Sequence, residues 1–392
     1  MKILVTSMPG YGHLDWGGIL NVLEELKERG HLVTIGSGNS LEDYIRSKGF
    51  NFLDIKIPPI KKFDPTGDID KQVLEHMIEW FFDIDSITES VNLSRGYIQK
   101  EGIDLVISEP MYQGARFIGA VTNKPLCVMG ADGKKQEIRN LKKPFSDLFE
   151  EFKRRIDKVS NNLGVSIMEH IAPRIYSDSL NLCFNTPEFE NRLNEEAAPN
   201  CHYVGADAII RKRLSDSKLR NFIERNRITL FATSGTIFHH KESDRIYQLI
   251  ANELDVGLIV GRGYIIEELE STNILSMDMV DYDLIFPYMD VIVCHCGTGT
   301  MISAIRAGIP IFGLPVMRQQ ESNGSRINSY GNGIALDRSC MKENIILETL
   351  ENLLTNECFS RRAVDLQKEF SRLGGYKRAS DIIEGTYMGI RS

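Results

Sequence analysis

The sequence predicts an α/β protein with parallel sheets in two domains, and three observations carry that expectation. Short apolar, β-branched runs alternate with amphipathic stretches along the chain, the pattern of strand–helix–strand folds. With 392 residues, the chain is long enough to bury two separate cores. A stretch rich in charge and poor in aromatics, 206–227, divides the alternation in two as a linker would.

Taken in order, residues 2–6 read as the first strand, 14–28 as a helix ended by Gly30, and 32–35 as the second strand. Residues 103–108 and 126–129 continue this half, and 200–205 closes it. Residues 228–233 and 257–260 open the second half. The most informative stretch is 291–336. Val291, Ile292 and Val293 form a buried strand that ends at His295-Cys296-Gly297-Thr298-Gly299-Thr300, where small residues allow a sharp turn. Met301, Ile302, Ala304 and Ile305 then recur at helical spacing, so Thr298 to Thr300 should open a helix. The free N–H groups of a helix start, with the dipole behind them, make an anion site suited to a diphosphate. On Gly, Thr and His alone, a turn that binds nothing is an equal reading. Gly308-Ile309-Pro310 closes the helix, 311–314 make the next strand, and Pro315 opens a polar loop with Gln319, Gln320 and Asn323.

Composition is that of an ordinary soluble protein, 42% apolar and 26% charged. A net charge of −8 argues against a nucleic-acid partner, which would leave a basic surface. Seven scattered cysteines fit reduced thiols better than a disulfide framework. The N-terminal apolar run is too short for a signal peptide, and no stretch approaches the ~20 apolar residues of a spanning helix. A cytoplasmic protein is expected. No solenoid repeat or low-complexity tract is present.

The order His-x-Gly-x-Gly-Thr at His295, Ala-Gly-Ile-Pro at Ala307, Pro-x-x-x-x-Gln-x-x-Asn at Pro315 and Gly-x-Gly at Gly331 resembles the donor-binding signature of the UDP-glycosyltransferase superfamily. The resemblance implies the GT-B fold of family 1 glycosyltransferases: two Rossmann-like domains facing each other across a cleft. Residues 1–205 would bind the acceptor, 206–371 the nucleotide sugar, and 372–392 would form a helix crossing back. It implies an inverting, metal-independent hexosyltransferase, with the nucleotide sugar as co-substrate and no separate cofactor. UDP-sugar is the first expectation for the donor and dTDP-sugar the second. The acceptor would be a hydroxyl of a small molecule or lipid, and a homodimer is compatible with the reading.

The resemblance also assigns residues. His13, in Pro9-Gly10-Tyr11-Gly12-His13 after the first strand, matches the family's general base; read alone, it could equally cap a helix. Trp16 stands where the family often has proline. Glu109, just past the strand at 103–108, matches the carboxylate that orients the base, with Glu in place of the usual Asp. Ser234, Gly235 and Thr236 resemble the second loop bordering the diphosphate, though a plain N-capped turn would look the same. His295, Gly297, Thr298, Gly299 and Thr300 would meet the leaving group. Gln319 and Gln320 fall at the pair that contacts the sugar, Asn323 would bind the donor, and Met279 stands near the position that stacks on the base. Gln319 replaces the family's acid, and Ser303 replaces the glutamate that commonly binds the ribose.

Other features have plainer readings. Cys294-His295-Cys296 lacks the spaced ligand pairs of a zinc site. Residues 134–158 combine basic side chains with Leu141, Phe145, Leu148, Phe149, Phe152 and Ile156 at helical spacing. That helix could rest on a membrane surface, or pack on the domain core as such helices more often do. Trp80-Phe81-Phe82 could line an acceptor pocket or simply be core. Gly10-Tyr11-Gly12 lacks the third glycine of a dinucleotide fingerprint, and Ile35-Gly36-Ser37 lacks its ribose-binding acid. Two alternatives share the fold: a non-catalytic nucleotide-binding activator or carrier, and a sugar-nucleotide epimerase. The first is opposed by the presence of both His13 and Glu109, the second by Ser303 and Gln319.

Overall fold

Thirteen short strands carry the architecture, in a computed structural model that describes residues 1–14, 18–59, 72, 75–76, 78–79, 82–130, 149–165, 176–191, 197–235, 241–262, 271–278 and 280–388. The first sheet contains β1 (Lys2–Thr6), β2 (Leu32–Ser37), β3 (Asn51–Asp54), β4 (Leu105–Ser108), β5 (Leu126–Gly130), β6 (Leu180–Cys183) and β7 (Cys201–Tyr203). The second contains β8 (Thr229–Thr233), β9 (Gly257–Gly261), β10 (Ile274–Met277), β11 (Val291–Cys294), β12 (Ile311–Gly313) and β13 (Gly333–Ala335). Their orders are β3-β2-β1-β4-β5-β6-β7 and β10-β9-β8-β11-β12-β13, and every pairing is parallel. The chain therefore forms the α/β fold that the alternation predicts.

Both orders reverse direction once, between β1 and β4 in the first sheet and between β8 and β11 in the second. At such a switch point the connections leave the sheet on opposite sides, and a crevice opens beyond the carboxyl ends of the strands. The described candidate residues after β1, β4, β8 and β11 belong to these two crevices.

Central strands are buried on both faces, which is why they read as continuous apolar runs. Along β1 the side chains alternate. Leu4 joins Val106, Val128, Ile87 and Phe117 on one face, whereas Ile3 and Val5 join a core on the other. That second core continues through Phe184, Phe189 and Phe370 to Ile292 and Ile305, so the two sheets share one apolar body.

Local departures from the sequence reading have physical causes. The helix expected over 14–28 is two pieces, Tyr11–Leu14 and Ile19–Glu28. Gly18 separates them, with φ 111°, and a Cβ there would lie 2.5 Å from the Tyr376 ring. Trp16 lies outside the described residues. Residues 206–227 do not run wholly as linker but end in the helix Ser217–Arg225, capped by Asp216. In the helix Phe149–Leu163, Phe152, Ile156, Val159 and Leu163 are buried against the first sheet's core, and Phe82 packs on Phe152 at 4.2 Å. That apolar stripe faces inward. Residues 134–148 and Trp80 and Phe81 lie outside the described residues. Among the described residues no helix is long and apolar enough to cross a membrane.

The helix Glu357–Arg372 is followed by Gly375–Tyr387, which packs on the helix Ile19–Glu28 of the first half. Arg29 holds it there by ion pairs with Asp381 and Glu384, both at 2.7 Å, and His31 Nε2 lies 2.7 Å from Glu384. Burial raises the Glu384 carboxyl, but hydrogen bonds from His31 and Arg29 outweigh it and hold the group below the usual range.

Candidate functional site

In the first crevice the loop after β1 turns at Gly10, and the one-turn helix Tyr11–Leu14 carries His13, whose N–H donates to the Gly10 carbonyl at 3.0 Å. His13 therefore does not open the long helix, and a single turn has no macrodipole of consequence. Glu109 follows β4 directly, its N–H donating to the Thr6 carbonyl of β1 at 3.2 Å. Its carboxylate accepts the Met8 N–H on Oε1 at 3.2 Å and the Met111 N–H on Oε2 at 2.6 Å. His13 Nδ1 lies 3.8 Å from Oε2, with the histidine side chain 12% exposed and the glutamate 1%. Two backbone amides thus fix a buried carboxylate beside the imidazole. The extra methylene of glutamate does not prevent the approach.

In the second crevice Gly297 caps the helix Thr298–Ala307 with no side-chain hydrogen bond, and the first helical bond runs from the Met301 N–H to the Gly297 carbonyl at 2.9 Å. The amides of Thr298, Gly299 and Thr300 stand ahead of that ladder, available to an anion. The His295 ring lies against both neighbouring turns: a Cβ on Gly235 would fall 2.7 Å from it, and one on Gly297 2.3 Å. Burial pushes the His295 pKa down to about 4, against a smaller opposing effect of a hydrogen bond with the Thr233 backbone. The ring is neutral at pH 7.

Around this turn the supports are specific. The Gly235 N–H donates to Thr233 Oγ1 at 3.0 Å, and Ser234 Oγ pairs with the Tyr247 hydroxyl at 3.0 Å. The Tyr282 ring packs edge-on against Phe231 of β8, with 5.5 Å between centroids. Asn323 is buried beneath the turn, where Nδ2 donates to the Cys296 carbonyl at 2.9 Å and to Thr298 Oγ1 at 3.2 Å. Gln320 is also buried, its Oε1 accepting the Val316 N–H at 2.8 Å. These two amides brace the backbone. Beside His295 a cavity of about 210 Å³, mostly apolar, is lined by Ser234, Tyr247, Leu314, Val316 and Met341 among others.

Three residues singled out from sequence need separate mention. Thr236 and Met279 lie outside the described residues, and Gln319 lies in the first turn of the helix Arg318–Tyr330. Cys294 and Cys296 are buried free thiols. Among the described residues no group of three or more His, Cys, Asp or Glu is placed to hold a metal ion. Sequence reasoning missed Tyr282, which packs against β8, and Arg326, which donates to Asn323 on its own helix. A tyrosine and an arginine in otherwise helical runs gave no local signal.

Comparison with known proteins gives matches over part and over nearly all of the chain. Residues 262–372 match the family model "Erythromycin biosynthesis protein CIII-like, C-terminal domain". The NDP-glycosyltransferase YjiC of Bacillus subtilis is 22% identical over 97% of this chain and 96% of its own length. Among solved structures, the glycotransferase of kitacinnamycin superposes with a TM-score of 0.76 at 17% identity, covering 98% of this chain and 99% of its own. The glycosyltransferase VinC, in complex with dTDP, superposes with a TM-score of 0.70 at 17% identity, covering 99% and 100%. The solved structures establish the shared GT-B fold. The family match over 262–372 and the near full-length relative, together with that fold, support assigning this chain to the glycosyltransferases of the UDP-glycosyltransferase superfamily.

Proposed function

We propose that this enzyme transfers a sugar from a nucleoside-diphosphate donor to a hydroxyl of a small-molecule acceptor, with inversion at the anomeric carbon. The observation that carries the reading is a division of labour between the crevices: the first holds an imidazole beside a fixed carboxylate, the second an uncapped helix start.

In this mechanism Glu109 keeps the Nδ1–H tautomer of His13, leaving Nε2 to accept the acceptor's proton as its oxygen attacks. The 3.8 Å separation would shorten once the imidazole becomes charged. The nucleoside diphosphate leaves from the opposite face. Its developing charge meets the amides of Thr298 to Thr300 and the neutral His295, whose ring nitrogen can donate a hydrogen bond. No step requires a separate cofactor.

For the donor, the resemblance favours a UDP-sugar, while the structural relative VinC was solved with dTDP. Calorimetric titration with UDP and dTDP separates these, and donor hydrolysis and transfer assays test turnover. Binding of one nucleotide with hydrolysis or transfer supports the proposal. Binding without any turnover over a panel of acceptors would favour a carrier.

A further inference from the structure

The Asn323 carboxamide has two chemically distinct ends, and the fold decides which faces the turn. Its Oδ1 accepts from Arg326 Nη1 at 3.2 Å, while Nδ2 faces the Cys296 carbonyl and Thr298 Oγ1. Arg326 is one helical turn further on and is completely buried. A guanidinium only donates, so it fixes the acceptor end of the amide toward itself. Reversing the amide would set two donors against each other on one side and two acceptors on the other.

Two consequences reach the turn. Cys296 has φ 61°, a left-handed conformation uncommon for a residue with a Cβ, and its carbonyl is held by Asn323. Thr298 Oγ1 already accepts a proton from Asn323, so its own O–H points elsewhere. Thr298 is half-buried at the helix start, beside the amides that precede the helical ladder. Thr300, by contrast, is buried.

We propose that Arg326, acting through Asn323, is a positioning residue that commits the Thr298 hydroxyl to donate a hydrogen bond to the donor's diphosphate. The inference rests on the donor reading given above. It adds a side-chain donor to the backbone cradle and gives the buried guanidinium a role in donor affinity.

The test is calorimetric binding of UDP and uridine, with dTDP and thymidine in parallel, to the intact enzyme and its variants. Thr298→Val, a nearly isosteric change, is expected to lower diphosphate affinity about tenfold or more with nucleoside affinity unchanged, and Thr298→Ser to restore it. Arg326→Met is expected to produce a similar selective loss, which Arg326→Lys partly reverses. In the Thr298→Val background, Arg326→Met should add little, because both act on one bond. The inference is overturned if Thr298→Val leaves the ratio of diphosphate to nucleoside affinity intact, whether or not Arg326→Met folds, or if the two effects are additive. If the unaltered enzyme itself prefers neither diphosphate to its nucleoside, the donor reading fails, and this inference with it.

Discussion

His13 and Glu109 are separated by 96 positions in sequence yet meet because β1 and β4 are neighbours and each residue follows its strand. Removing the imidazole is predicted to lower kcat by ~10²–10⁴ with donor affinity nearly unchanged, since the base acts only on the acceptor. Glu109→Gln should lower kcat by a smaller factor, about tenfold or more, because it removes the charge that stabilises imidazolium. Steady-state kinetics on both variants check these values. At His295 the sign of pH dependence follows from its depressed pKa of about 4. Between that value and the unfolded value of about 6.5, the unfolded chain binds a proton that the fold does not, so this residue's contribution to stability is present above the window and is lost as pH falls through it. A bound diphosphate would raise the pKa of the ring. Nucleotide binding near pH 6 should therefore take up protons, which calorimetry in buffers of different ionisation enthalpy measures directly. The sequence brought His13, Glu109 and His295 forward because the strand-end loops that carry them resemble the family's motifs. Tyr282 was not brought forward, since its contact with Phe231 joins elements that no local pattern links, and Arg326 was not, since nothing local marks which arginine of a polar helix will be buried.

The turn from Cys294 to Thr300 works as an element because its neighbours are small. The His295 ring lies against Gly235 and Gly297, with space for no side chain at either position. Gly297→Ala should displace the ring or shift the turn, raising the donor KM by at least about tenfold while leaving acceptor KM little changed. An unchanged donor KM would mean that the ring position is irrelevant to the donor. Strand prediction succeeded where runs were long and β-branched, as in Val291, Ile292 and Val293, because a buried parallel strand needs apolar residues on both faces. It missed Asn51–Asp54, Leu180–Cys183, Ile274–Met277 and Gly333–Ala335, which are short and mix polar or small residues into the run. Their strand state is imposed by neighbouring strands. The helix boundary at Gly18 was likewise set by tertiary contact with Tyr376.

For the whole molecule, the fold class was legible from alternation and length, while the way the halves are fastened was not. The C-terminal helix is latched onto the first half by Arg29 and His31 against Asp381 and Glu384, and Arg306 anchors the connecting segment. The Arg306 guanidinium grips Asp283 through two bonds at 2.9 and 2.8 Å and donates to the Asp207 carbonyl at 3.0 Å. Since Arg306 lies on the helix whose start forms the proposed anion site, one rod joins the proposed donor crevice to the connection between halves. Glu384→Ala should reduce stability by roughly 1 kcal/mol, the scale of a partly exposed ion-pair network, and a thermal melt would show a shift of a few degrees. No shift would mean that the latch holds nothing. The central claim is tested most directly by a crystal structure with UDP or dTDP bound. The predicted result has phosphate oxygens within hydrogen-bond distance of the Thr298, Gly299 and Thr300 amides and the His295 ring, on the side facing His13. A nucleotide bound away from that turn, or phosphates directed away from His13, would contradict the account.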